Sequence, residues 1–168
     1  MKGGTRPFGG RVWIVPTVCA TVLALGLLAP QTADAGRNHR ATASAFASRI
    51  VLLIGENRYA DAWVDLHALH QQAAPLDRYV QCENETRIPG RITSVRTLRT
   101  RDAPVHVAGI TNPIRGTNVT LRIVIAAASI PARVVVVKTV GLVRVAQHWV
   151  WLLPPARYAA YLAEDCPQ

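Results

Sequence analysis

The chain is short of cysteine, of acids and of lysine, and each shortage excludes something. Three cysteines are too few for a mini-protein built on disulfides, and no CxxC pair is present to form a zinc ribbon or redox site. Ten Asp+Glu against 19 Lys+Arg leave a formal charge of +9, so an acidic, solvating chain is excluded. Arginine greatly outnumbers lysine, a pattern expected of GC-rich coding as much as of any binding surface. Internal repeats and low-complexity tracts are absent, which removes solenoids and arrays. What is abundant is apolar: half of the 168 residues, enough surface to offset the entropy of ordering one domain.

Much of that apolar content sits in one place. Lys2, Arg6 and Arg11 precede residues 12–29, which carry no charge, and Pro30 and Ala33-Asp34-Ala35 follow. The small residues at 33 and 35 suit a signal peptidase, so residues 1–35 read as a secretory signal cleaved after Ala35. An uncleaved anchor is the alternative, since 18 apolar residues approach a spanning length, but Pro16 and Gly26 interrupt the run. Cys19 lies inside the apolar run and lacks a lipobox. Cleavage leaves an exported or envelope-exterior protein with no stable membrane span and a charge of 16 − 9 = +7. The remaining cysteines, Cys82 and Cys166, then form an even pair in an oxidising compartment, which reads as one disulfide. Two buried free thiols are the alternative.

Residues 36–42 are small and polar, a linker. A helix is expected from Ala43 to Ile54, with Phe46, Ile50, Leu53 and Ile54 at helical spacing and Gly55 as its stop. A second helix is expected over Tyr59–Gln72, with Tyr59, Ala62, Trp63, Leu66, His70 and Ala73 on one face. A short third runs from Pro75 to about Cys82. After Pro89-Gly90 the apolar period changes to two, and residues 91–101, 105–110, 117–127, 132–146 and 148–153 read as strands. Gly141, inside the longest, suggests a bulge or a bend. Pro154-Pro155 ends the last strand, and a closing turn or short helix is expected over 156–164. This is an α+β layout: two to three helices packed on an antiparallel sheet of about five strands.

Three segments carry a family likeness: Tyr59-Ala-Asp-Ala-Trp-Val-Asp-Leu-His67, Tyr79-Val-Gln-Cys-Glu83, and Trp149-Val-Trp-Leu-Leu-Pro154 with Ala156-Arg-Tyr158. With the element order, they make residues 43–166 resemble exported bacterial proteins of the nuclear transport factor 2-like (SnoaL-like, cystatin-related) superfamily. The resemblance implies a single cone-shaped domain over 43–168, whose curved sheet and helices enclose a pocket. It implies either a small isomerase, dehydratase or cyclase, or a binding or accessory domain. Such folds often pair through the exposed sheet, so a homodimer is an open option. No family catalytic position can be matched onto this chain.

His70 falls on the apolar face of its helix and is the one group suited to act as a base near neutral pH; the bland alternative is a core histidine bonded to a carbonyl. Tyr59 and Tyr79 are its nearest candidate partners, because Asp61 and Asp65 project from the opposite face. His67 and His70 are i,i+3 neighbours, but no third ligand follows at helical spacing, so no metal site is expected. If the turn at 146–147 preserves strand parity, Trp149 and Trp151 share a face with Val143 and Val145, opposite Arg144, His148 and Val150. Trp63, His70, Tyr79, Trp149 and Trp151 are therefore the candidate lining of a ligand pocket, with core filling as the alternative. Arg87, Arg91, Arg96, Arg99 and Arg101 crowd the first strand without interleaved aromatics, which reads as a solvated face rather than a nucleic-acid site.

The leading expectation is an exported, non-catalytic, cofactor-free binding or accessory domain for a small apolar ligand or a cell-envelope component. The alternatives are a small cofactor-free lyase or isomerase using His70 with a pocket tyrosine, and a basic protein that binds envelope polyanions.

Overall fold

The structure, a computed structural model, describes residues 32–127 and 133–167. All but the last four residues of the expected leader, 1–35, therefore lie outside it. Among the described residues, five helices and one four-stranded sheet follow one another as α1 (Thr32–Gly55), α2 (Tyr59–Val64), α3 (Ala68–Ala73), α4 (Leu76–Glu85), β1 (Gly90–Val105), β2 (Ile114–Ala127), β3 (Arg133–Val145), β4 (His148–Trp151) and α5 (Pro155–Leu162). The sheet is open and antiparallel, in the order β1-β2-β3-β4. The fold is α+β, and among the described residues it has four strands where about five are expected: β1 absorbs residues 102–105, and Val107–Ile110 turn instead of extending.

Helix α1 lies over the sheet because its buried residues recur at helical spacing. Ala43, Ala47, Ile50 and Leu53 face a layer of Val119, Leu121 and Ile123 from β2 and Val140 and Leu142 from β3. Removing water from a side chain such as Ile50, 1% exposed, contributes roughly 2–3 kcal/mol. The helix stops at Gly55, as its sequence requires. A Cβ there would meet Ile92 Cγ1 at 2.8 Å, so only glycine lets the helix end touch β1. The other end corrects the sequence reading. Residues 36–42 are not a linker: they continue α1 back to Thr32, although nothing apolar marks them as helical.

The second expected helix is broken in two. At the break, Leu66 bridges to Trp151, with His67 N–H donating to the Trp151 carbonyl at 3.0 Å and Trp151 N–H to the Asp65 carbonyl at 3.0 Å. Those backbone groups serve the β4 edge instead of a helix. His67 then caps α3, its Nδ1 accepting the Leu69 N–H at 3.3 Å.

Of the bulge or bend expected at Gly141, the bulge does not form, since β2 and β3 stay in register across it. The irregularities lie in β1, between Ile92 and Ser94 and between Thr97 and Arg99. Each inserts one extra residue, which resets the alternation so that Ile92, Val95, Thr97 and Thr100 turn toward the helices. Arg91, Arg96, Arg99 and Arg101 are left exposed, as the solvated-face reading expects.

Cys82 of α4 and Cys166, just beyond α5, form the expected disulfide, with Cα atoms 5.1 Å apart. Beside it the buried Glu83 carboxylate accepts hydrogen bonds from Arg157 and, at 3.3 Å, from the Tyr161 hydroxyl. Burial pushes the Glu83 carboxyl above its ordinary value, against the opposing pull of Arg157. Among the described residues no helix is long and apolar enough to cross a membrane.

Candidate functional site

Of the five residues nominated as pocket lining, His70, Tyr79 and Trp151 are buried and Trp63 is half-buried against the core. Trp151 is 5% exposed and its Nε1–H donates to the Ala62 carbonyl at 2.7 Å. Trp63 donates to the Ala74 carbonyl at 2.8 Å. Both indoles thus bond to the α2–α3 backbone. Tyr79 is sealed from solvent, its ring 6.4 Å from Trp151 and 6.1 Å from Tyr161. Burial, then the Glu83 charge, pushes its phenol well above the ordinary tyrosine value. Tyr59 is also buried, donating to Asn57 Oδ1 at 2.8 Å.

His70 is sealed too. Its Nδ1 accepts the Leu153 backbone N–H at 2.9 Å, which fixes the proton on Nε2. Nε2 finds no partner with hydrogen-bond geometry among the described residues. Burial, with a smaller push from His67 and an opposing contribution from the Ala108 backbone, lowers its pKa to about 4. The His67 and His70 rings meet edge to face, 5.7 Å apart. Asp61 and Asp65 point away from them, to Arg58 at 2.7 Å and Arg49 at 2.6 Å.

Trp149 is different. The β3–β4 turn has two residues, Ala146 and Gln147, both with positive φ (46° and 71°), the geometry of a tight hairpin. That turn pairs Val145 with His148 and Arg144 with Trp149, so parity is not carried across it in the expected way. Trp149 and Trp151 share their face with Arg144 and Leu142, not with Val143 and Val145. Leu142 and Trp151 are buried under the helices, whereas Arg144 and Trp149 lie one strand repeat further along, where the core ends.

There a cavity of about 520 Å³ opens between the start of α1 and the sheet, lined by His39, Asp102, Arg115, Thr117, Arg144 and Trp149. Gly116 also borders it, and a Cβ at that position would meet the Leu142 carbonyl oxygen at 2.7 Å. The Trp149 ring is 4.7 Å from His39 and 5.5 Å from the Arg144 guanidinium carbon. Its Nε1–H donates to Thr42 Oγ1 at 3.3 Å. Asp102 accepts from Thr117 Oγ1 at 2.8 Å and from Arg40 Nε at 3.2 Å. Partial burial works against it, but these bonds and the Arg40 and His39 charges hold its carboxyl below the usual range. A second cavity of about 330 Å³, bordered by His106, Asn118, Thr139, Leu153 and Pro154, contains none of the nominated residues.

The site that geometry assembles is therefore one nominated residue, Trp149, with polar neighbours that sequence reasoning did not nominate. Arg144 could have been found from the two-residue turn, which sets its partner. His39, Asp102 and Arg115 could not, because only tertiary structure gathers them. Compared with protein-family models, curated proteins and solved structures, the chain matches none.

Proposed function

We propose that this protein is an exported, non-catalytic binding or accessory domain of the nuclear transport factor 2-like type, and that its ligand sits in the cleft beside Trp149. The observation that carries the proposal is the placement of an indole, with cationic and hydroxyl side chains, on the wall of a cavity large enough for a small molecule. The α+β order and the helix layer over the sheet support the family assignment. The cone-shaped enclosure stays part of the proposal. The leader at 1–35 supports export, and cleavage after Ala35 would leave α1 starting at Gly36, with His39 and Arg40 still in the helix.

Two observations favour binding over a lyase or isomerase. His70, the base that such a reaction would use, is sealed and already bonded to backbone. Tyr59 and Tyr79 are buried on other contacts. The lining of the cleft also shifts the expected ligand, from purely apolar to one with a polar or charged part.

The test has two arms. N-terminal sequencing of the protein from the culture medium or envelope should begin at Gly36; a retained Met1 contradicts cleavage. Titration of small amphiphiles into ¹⁵N-labelled protein should shift the Trp149 indole N–H and the backbone amides of residues 115–117 and 142–149. Shifts confined to other regions would refute the site.

A further inference from the structure

We propose that the Trp149 cleft takes an anionic group, a carboxylate or phosphate monoester on an apolar or ring-bearing body, held between Arg115 and Arg144. The inference rests on the proposed binding function and names the ligand chemistry of the same site.

Strand register brings the two arginines to the cleft. Asp102 pairs with Thr117, Thr117 with Leu142, and Leu142 with Trp151, so these four make one row across the sheet. Two residues further along, Pro104 pairs with Arg115 and Arg144 with Trp149. The β2–β3 ladder ends at Thr117–Leu142, and continuing its register by two residues sets Arg115 against Arg144. By that continuation Arg115 and Arg144 occupy facing positions on the helix side of the sheet, and both border the cavity. Like charges at facing cross-strand positions repel, and an anion between them would relieve that repulsion.

The local carboxylate does not fill this role. Asp102 is engaged by Arg40, Thr117 and His39, at 3.2, 2.8 and 3.8 Å. Among the described residues, neither Arg115 nor Arg144 has a carboxylate within ion-pair distance. The cleft therefore has two cations left over after its one acid is satisfied. Guanidinium forks suit carboxylate and phosphate oxygens because they can donate two parallel N–H bonds to them. Arg144 is held for this purpose: one nitrogen donates to the Gln147 carbonyl at 2.9 Å, and the group lies against the Trp149 ring. The indole supplies an apolar wall next to the charge, which calls for an apolar or ring-bearing ligand body rather than a free inorganic ion.

The experiment compares three probes of one shape: 2-naphthoate, 2-naphthyl phosphate and the neutral 2-naphthylmethanol, titrated into the ¹⁵N-labelled exported protein. Expected are shifts at the Trp149 indole and the Arg115 and Arg144 Nε–H signals with an anion, and about tenfold weaker binding of the alcohol. Whether the carboxylate or the phosphate binds more tightly assigns the source of the charge. Arg115→Gln and Arg144→Gln should each weaken the anions about tenfold and leave the alcohol unchanged. In the free protein, Arg115→Gln should not lower the melting temperature, whereas an arginine with a structural role would show a loss. Equal affinity for all three probes overturns the anion inference and leaves the binding function standing. No shift in the cleft with any of the three overturns both.

Discussion

His70 Nδ1 accepts the Leu153 backbone N–H at 2.9 Å, tying α3 to the segment between β4 and α5. A histidine that can accept this bond must be neutral. Its pKa of about 4 lies below the ordinary 6.5, so between those values the unfolded chain binds the proton more readily than the folded one. Stability should therefore fall as pH drops from 6.5 toward 4, by up to about 3 kcal/mol at full effect. Urea denaturation across that range checks the slope. His70→Ala should lose this pH dependence and cost about 2–4 kcal/mol near neutral pH, because it leaves a cavity and an unpaired N–H. A variant as stable as the wild type would show that the bond contributes nothing.

The Glu83–Arg157 pair has the opposite pH sign. The Glu83 carboxyl is raised by burial, so the folded state holds its proton more tightly than the unfolded state does. This group's contribution should become less favourable as pH rises through the ordinary carboxylate range toward the raised value. Glu83→Gln should remove that component while Tyr161 keeps an acceptor. Arg157→Ala is the more damaging change, since it strands a carboxylate whose side chain is 5% exposed. We expect a loss of about 2–4 kcal/mol, discounted because the Arg157 side chain is 24% exposed. Stability curves of the two variants from pH 4 to 8 test both statements.

The valine run on β3 should limit solubility. Val134, Val135, Val136 and Val137 are 38–62% exposed, and β4 pairs with β3 only from Leu142 onward. Among the described residues the other side of Arg133–Val140 has no strand partner, so the chain presents an exposed apolar edge. Val135→Lys with Val137→Lys should slow aggregation in concentrated solution, followed by light scattering, and lower stability by less than about 1 kcal/mol. Unchanged aggregation would place the sticky surface elsewhere.

These elements differ in how readable they are. The sheet and the end of α1 follow from local signals: Val, Ile and Thr at period two, and a glycine at 55. Three features are not carried by a local apolar pattern. The break at Asp65–His67 exists because Leu66 and Trp151 bridge, 85 positions apart, which overrides a continuous helical face. The stretch before Ala43 is polar, so its apolar spacing carries no helical signal, yet it supplies the His39 roof of the cleft. Trp149 was legible as a candidate, Arg144 joins it only once the left-handed pair at Ala146 and Gln147 is placed, and His39, Asp102 and Arg115 are gathered by tertiary structure alone.

The Cys82–Cys166 bond closes a loop of 84 residues that spans the whole sheet. Chain-entropy models assign such a loop roughly 4–5 kcal/mol, and removal of native disulfides costs about 2–5 kcal/mol. Intact mass should therefore rise by two hydrogens on reduction, and free thiols in the unreduced protein would contradict the bond. The loss of stability should be unevenly distributed. Apart from the disulfide, α5 is held by the buried Tyr161 side chain, the Arg157–Glu83 pair, the Tyr158 ring 4.8 Å from His70 of α3, and its junction with β4. The centre of the sheet carries Val119, Leu121, Val140 and Leu142, all buried. Reduction, or Cys166→Ser, should thus release α5 amides to hydrogen exchange first, while β2 and β3 stay protected. Equal loss of protection in α5 and β2 would mean that the bond stabilises the domain as one unit, and that α5 has no separate opening.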